Sequence, residues 1–135
     1  MPILRSYLDQ DGTDVIRQWF DAPSTTKQAR AKFRNRLRVL SRLPRHEWRR
    51  PLFDTLGEEC RGLSEIRIDA DHVPWRPLGF FQTDEDGNDV FTLVICASKD
   101  EHGWKPSNAC ARGLIRKAEI LANPARAHDL PIALQ

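Results

Sequence analysis

Cysteine is scarce in this sequence, and so is any pattern that would make it structural. The three cysteines, Cys60, Cys96 and Cys110, are odd in number and far apart, and no CxxC pair occurs. That spacing argues against a disulfide scaffold and against a zinc site. His46, His72, His102 and His128 are scattered without metal-ligand spacing, so neither a metal nor any other cofactor is expected. No apolar run approaches the roughly 20 residues that span a bilayer. The opening MPILRSYLDQDG carries charge too early for a secretory apolar stretch, which makes the cytosol the expected compartment and a membrane partner unexpected. Internal repeats, low-complexity tracts and linkers are also missing. One domain over residues 1–124 with a loosely docked tail over 125–135 is the simplest organisation.

Acidic residues are missing from one place in particular. Between Lys27 and Arg50 stand ten basic residues and a single acid, Glu47, whereas the rest of the chain holds eleven basic and eighteen acidic residues. The whole chain carries only +2, so its charge is strongly segregated. Such segregation in a small domain points to a polyanionic partner on one face.

The residue pattern predicts an α+β fold. Ile3 to Leu8 reads as a strand. Thr13 can cap a short helix bearing Val15, Ile16, Trp19 and Phe20 on one face. The longest helix is expected over about 26–43: Ala29, Phe33, Leu37, Leu40 and Leu43 form its apolar face, and Arg30, Arg34, Arg38 and Arg42 recur every four residues beside it. Residues 45–60 read as a connector. After Gly62 the period becomes two. LSEIRID alternates, VPWRPLGFFQ is a strand that Pro77 forces to an edge or into a bulge, and TDEDGND signals a hairpin. DVFTLVICAS is β-branched and aromatic, as a central strand should be. KDEHGWKP reads as a loop. A closing helix to about Ala122 is expected to bury Ala111, Leu114, Ala118 and Leu121. The expected architecture is therefore N-terminal helices packed on a curved antiparallel sheet of about four strands, with a C-terminal helix.

Four segments in order carry a family resemblance. GLSEIRI resembles the G-L-x-E-(L/I)-R strand of phage-derived toxins of the RelE/HigB type, within the RelE/ParE superfamily. WRPLGFF stands where that family has an aromatic-arginine strand, from which Pro77 and Gly79 depart. FTLVICASKDEHGWKP is similar to its last strand, lysine-bearing loop and helix-opening proline. GLIRKAEIL is similar to its closing helix, with Gly113 in place of alanine. The likeness covers about residues 62–121. It implies a toxin of a type II toxin–antitoxin pair that cuts messenger RNA on the ribosome without a metal. A small antitoxin, of helix-turn-helix type, would be its partner. A ParE-like gyrase inhibitor without nuclease activity, or a non-enzymatic phage-derived binding protein, is the alternative.

The chemistry asks for cations at the phosphate and for groups that move protons from the RNA 2′-hydroxyl and to the leaving 5′ oxygen. The resemblance implies Arg76 and Lys99 for the developing charge. Arg67 is a candidate for positioning, or an ordinary arginine of a solvated sheet face beside Glu65. His102 is a candidate for proton transfer, since imidazole titrates near neutrality, or a surface histidine. Trp104 can stack on a base or pack its loop onto the sheet, and Lys105 can meet RNA or simply be a loop lysine. The ridge of Arg30, Arg34, Arg38 and Arg42 would grip ribosomal RNA phosphates, or an acidic antitoxin segment.

Overall fold

A computed structural model describes residues 1–134. Gln135, the last residue of the expected tail, lies outside the described residues. The chain runs β1 (Ile3–Tyr7), α1 (Val15–Asp21), α2 (Lys27–Ser41), β2 (Phe53–Thr55), β3 (Ser64–Ile66), β4 (Ile68–Ala70), β5 (Val73–Thr83), β6 (Asp89–Asp100), β7 (Gly103–Lys105), α3 (Ala109–Ala122) and β8 (Ala127–Asp129). None of these helices is long and apolar enough to cross a membrane.

The expectation of about four antiparallel strands is overturned. The sheet has eight strands, in the order β2-β3-β5-β6-β1-β8, with β4 also on β5 and β7 on β6. It is mixed, because β1 pairs with β6 in parallel. The long α1–α2 excursion between the first strand and the rest of the sheet makes that parallel return possible. The extra strands are three-residue pieces: β2, β7 and β8 lie in segments that read as connector, loop and tail, and β4 is the end of the LSEIRID strand, split from β3 at Arg67. Three residues hold too little alternation to reveal a period. The tail is more than loosely docked: β8 pairs with β1, and Ile132 is buried.

The helix ends follow their caps. The Asp14 carboxylate accepts from the backbone N–H of Ile16 and Arg17 at 2.9 Å, so α1 starts from Asp14 rather than Thr13. Thr26 Oγ1 accepts from Ala29 N at 3.0 Å to open α2. In the hairpin, the Asp84 carboxylate takes the N–H groups of Asn88 and Asp86, and Gly87 supplies the positive φ of +83°. Those hydrogen bonds, the Asn88 backbone first, hold the Asp84 carboxyl below its ordinary range.

The two faces of the sheet have separate cores. On one, α1 and α2 bring Ile16, Phe33 and Leu37 against Ile66, Ile68 and Phe91. On the other, α3 covers Leu63, Leu78, Val94 and Ile95. A bulge at Val94 of β6, opposite Leu78 and Gly79 of β5, turns both Val94 and Ile95 toward α3. Gly79 has no room for a side chain: a Cβ there would lie 2.5 Å from the Thr92 carbonyl oxygen.

Proline also acts as the pattern predicted, though not at an edge. β3 and β4 pair with β5 in one common register, and the ladder lapses at Ile66 and Arg67, across from Pro77 and Arg76. Pro77 has no N–H to give there, and the Arg67 N–H goes instead to Leu52 O at 2.9 Å.

Two further expectations are corrected. α3 buries Ala109, Cys110, Gly113 and Ile120, leaving Ala111, Ile115, Ala118 and Leu121 exposed. Its apolar residues are too numerous for one face, and docking selects the other stripe. Cys60 and Cys110, separated by 50 residues, form a disulfide with a Cα–Cα distance of 4.9 Å. Sequence distance concealed the pairing, because docking of α3 brings its second residue over the turn Glu58–Cys60.

Candidate RNA-facing site on the polar sheet face

Strand alternation decides which candidates meet. Ile66 and Ile68 point to the α1–α2 core, so Glu65 and Arg67 point the other way. Arg76 lies across from Arg67 on the continued register and is paired with Ala97 on β6. Lys99 is two residues beyond Ala97, on the same face. Arg67, Arg76 and Lys99 are therefore carried by neighbouring strands on one side of the sheet. This is the α3 side, at the end that lies toward β4 and β7.

Arg76 is closed to a ligand, and Arg67, half-buried, is already ion-paired. Directly opposed like charges destabilise a strand pair, and here a carboxylate separates them. Glu65, only 3 % exposed, accepts from Arg67 Nη1, and its Oε2 lies 3.8 Å from Arg76 Nε. Arg76, 8 % exposed, also donates to Trp75 O at 2.7 Å and Ile68 O at 3.2 Å, and pairs with Asp69 at 3.3 Å. Behind this knot Arg36 of α2 donates to the Arg67 carbonyl, and burial pulls its guanidinium pKa down. The alternation of LSEIRID placed Glu65 correctly but left it solvated. Its burial, and the Asp69 contact, depend on strand pairing.

The other end of the face is open. Lys99 is exposed, with its ammonium 5.0 Å from the centre of the Trp104 ring, its cross-strand partner on β7. Trp104 is 8 % exposed, so it packs the loop down and supports Lys99 instead of offering a stacking surface. Lys99 and Trp104 border a groove of about 250 Å³ whose other wall is Leu56 to Cys60.

Alternation separates Lys105 from this group. It pairs with Ser98, one residue before Lys99, and so projects from the opposite face, where it meets Asp100 at 2.9 Å. The Asp100 carboxyl is held below its ordinary range by that lysine first, and by the His102 N–H second. His102 is exposed in the β6–β7 turn, 3.5 Å from Glu101. Continuing the β5–β6 register past Trp75 and Ser98 brings the β4–β5 turn, with His72, to this same end of the sheet. The sequence offered no sign of that second imidazole, because the two turns are 30 residues apart.

The arginine ridge stands in the other layer, on the α2 side, and most of it is tied to the protein. Arg30 donates to Thr25 O at 2.6 Å, Arg34 lies over the Phe20 ring at 5.3 Å, and Arg38 donates to Leu134 O at 2.6 Å. Arg42 is exposed at the end of α2. A nucleic acid touching both this helix and Lys99 has to pass around the sheet edge.

Among the described residues, one cluster gathers metal-ligand atoms: those of Glu59, Cys60 and Cys110 lie within 4.8 Å of one another. Its two sulfurs are joined in the disulfide. No family model, curated protein or solved structure matches this chain.

Proposed function

We propose that this chain is the toxin of a toxin–antitoxin pair, acting on ribosome-bound messenger RNA as a metal-independent endoribonuclease. The observation that carries the reading is the sharing of one sheet face by Arg67, Arg76 and Lys99, with Lys99 open on a groove. In this reading the RNA 2′-oxygen attacks phosphorus, the bond to the 5′ oxygen breaks, and a 2′,3′-cyclic phosphate forms. Lys99 meets the charge that grows on the phosphoryl oxygens. Arg76 and Arg67, knotted around Glu65, hold the strands that present it. His102, in the turn that follows the strand of Lys99, is the imidazole offered for moving a proton, whereas His72 lies beside Gln28 and Lys32 of α2. Arg42 and Arg49, exposed in the later part of the basic segment, add phosphate contacts that weaken as salt rises, while Arg50 is paired with Asp54 at 2.9 Å. The antitoxin's place is supported by the exposed apolar stripe of α3, where Ile115 is 63 % and Leu121 55 % exposed.

The closure of Arg67 and Arg76 in ion pairs favours a second reading, in which the same fold binds a target such as gyrase and performs no RNA chemistry. Purified protein added to translating ribosomes separates the two. The first reading expects cut message, with Lys99→Ala slowing cutting by about a hundredfold. Toxicity in cells with intact message would move the assignment to the second. Absence of both, with folded protein, would leave only a binding module.

A further inference from the structure

We infer that the Cys60–Cys110 disulfide is a redox-sensitive clamp holding an acidic loop against the Lys99 groove, so that reduction opens the groove to a polyanion. The inference rests on the RNA reading of that groove. The stretch from Leu56 to Cys60 forms the wall that faces Lys99 and Trp104. Glu58 and Glu59 are both exposed on it, so two carboxylates face one ammonium. A phosphate backbone approaching Lys99 meets a groove lined by more negative than positive charge.

Besides the disulfide, the wall is held by the hairpin-closing bond from Leu56 N to Leu63 O at 3.0 Å and by Leu63, which is buried against Gly113 of α3. The wall's internal hydrogen bonds are short turns: Cys60 N to Gly57 O, Arg61 N to Glu58 O, and Leu63 N to Cys60 O, at 3.0–3.1 Å. To α3 it has one polar tie, from Lys117 Nζ to Gly62 O at 2.9 Å. Glu58 is held at φ +53°, a left-handed conformation that a residue other than glycine adopts at a cost. The bond to Cys110 fastens this unfavourable turn to the first turn of α3.

Cys60 lines the groove but is only 4 % exposed, so a reductant reaches its sulfur when the loop opens locally. A thiolate of a dithiol attacks Cys60, the S–S bond breaks, and its electron pair leaves on Cys110. The second thiol then displaces Cys60 from the mixed disulfide. The protein sulfurs gain two electrons and two protons, and the dithiol becomes a cyclic disulfide.

The full chain can be tested oxidised and after reduction by dithiothreitol, with thiol counts of one and three verifying the two states. Amide hydrogen exchange reads the clamp, and anisotropy of a labelled 20-nucleotide single-stranded RNA reads the groove. Reduction is expected to speed exchange at Cys60, Arg61 and Leu63. It is also expected to tighten RNA binding by about three- to tenfold at low salt, a gain that fades as salt screens it. Cys60→Ser with Cys110→Ser should match the reduced protein with or without reductant. Should that variant fail to fold, Glu58→Gln with Glu59→Gln, disulfide intact, must still bring the oxidised protein to the reduced affinity. Unchanged exchange overturns the clamp. Released exchange with equal RNA affinity in both states overturns the gating. No RNA binding in either state overturns the gating and, separately from the clamp, the RNA reading itself.

Discussion

The two ends of the charged strip on the α3 side of the sheet use cationic side chains to opposite effect. At the β3–β4 end, Arg67 and Arg76 face each other across strands and are closed around Glu65, with Asp69 at the rim. At the β7 end, Lys99 rests on Trp104 and faces a groove. A buried guanidinium without a partner is costly, so the first end has to complete its own ion pairs. An exposed ammonium is already solvated, so the second end stays free to exchange water for a ligand. A cation's residue type therefore says less about its role than the carboxylates its neighbouring strands bring.

Removing the carboxylate at the closed end should break this contrast most strongly. Glu65→Gln is expected to lower unfolding stability by about 3 kcal/mol, because it leaves two opposed arginines uncompensated. Lys99→Ala should stay within about 0.5 kcal/mol of the parent. Urea titration of both measures the difference, and equal losses would erase the distinction between the ends. The frame that sets both ends on one face depends on the bulge. Gly79→Ala drives a Cβ into the Thr92 carbonyl and the Phe91 ring, and should cost about 1–3 kcal/mol by the same measurement.

Lys105 supplies a finer test, since the β6–β7 register turns it away from the open end. Its pairing keeps the Asp100 carboxyl depressed. A depressed carboxyl favours the folded state above the ordinary aspartate range, and that contribution disappears as pH falls through its lowered midpoint. An NMR titration should show Asp100 moving up toward an ordinary aspartate in Lys105→Ala. An unmoved midpoint would mean that lysine and carboxylate do not meet. The smallest effect is expected at Gly113, where an added Cβ would lie 2.9 Å from a Leu63 methyl. That methyl belongs to a flexible side chain, and alanine gains about 1 kcal/mol of helix propensity, so Gly113→Ala should be close to neutral in Tm.

Long, periodic segments were legible. Phe33, Leu37 and Leu40 face the core as their spacing required, β6 is central, TDEDGND turns, and Pro77 marks a break in the ladder. The short strands β2, β7 and β8, the Cys60–Cys110 bond and the buried face of α3 were not legible, because each depends on which remote segment docks. The site divides the same way. Alternation alone put Arg67 on the side opposite Ile66 and Ile68, whereas the separation of Lys105 from Lys99 came from the pairing of β7 with β6. The closure of Arg76 by Glu65 and Asp69, the arrival of both histidine turns at one end of the sheet and the removal of the α2 ridge to the other layer came from pairing between strands.

What the sequence determined by itself was local: where periods of two and near four lie, where caps and turns punctuate them, and how far charge is segregated along the chain. Those properties are set by a residue and its near neighbours through sterics and hydrogen bonding. Tertiary structure alone decided that β1 enters the sheet in parallel, that Cys60 meets Cys110, and which cations are closed and which are open. These outcomes depend on register and docking between distant segments, where one residue of slip reverses the face every side chain presents.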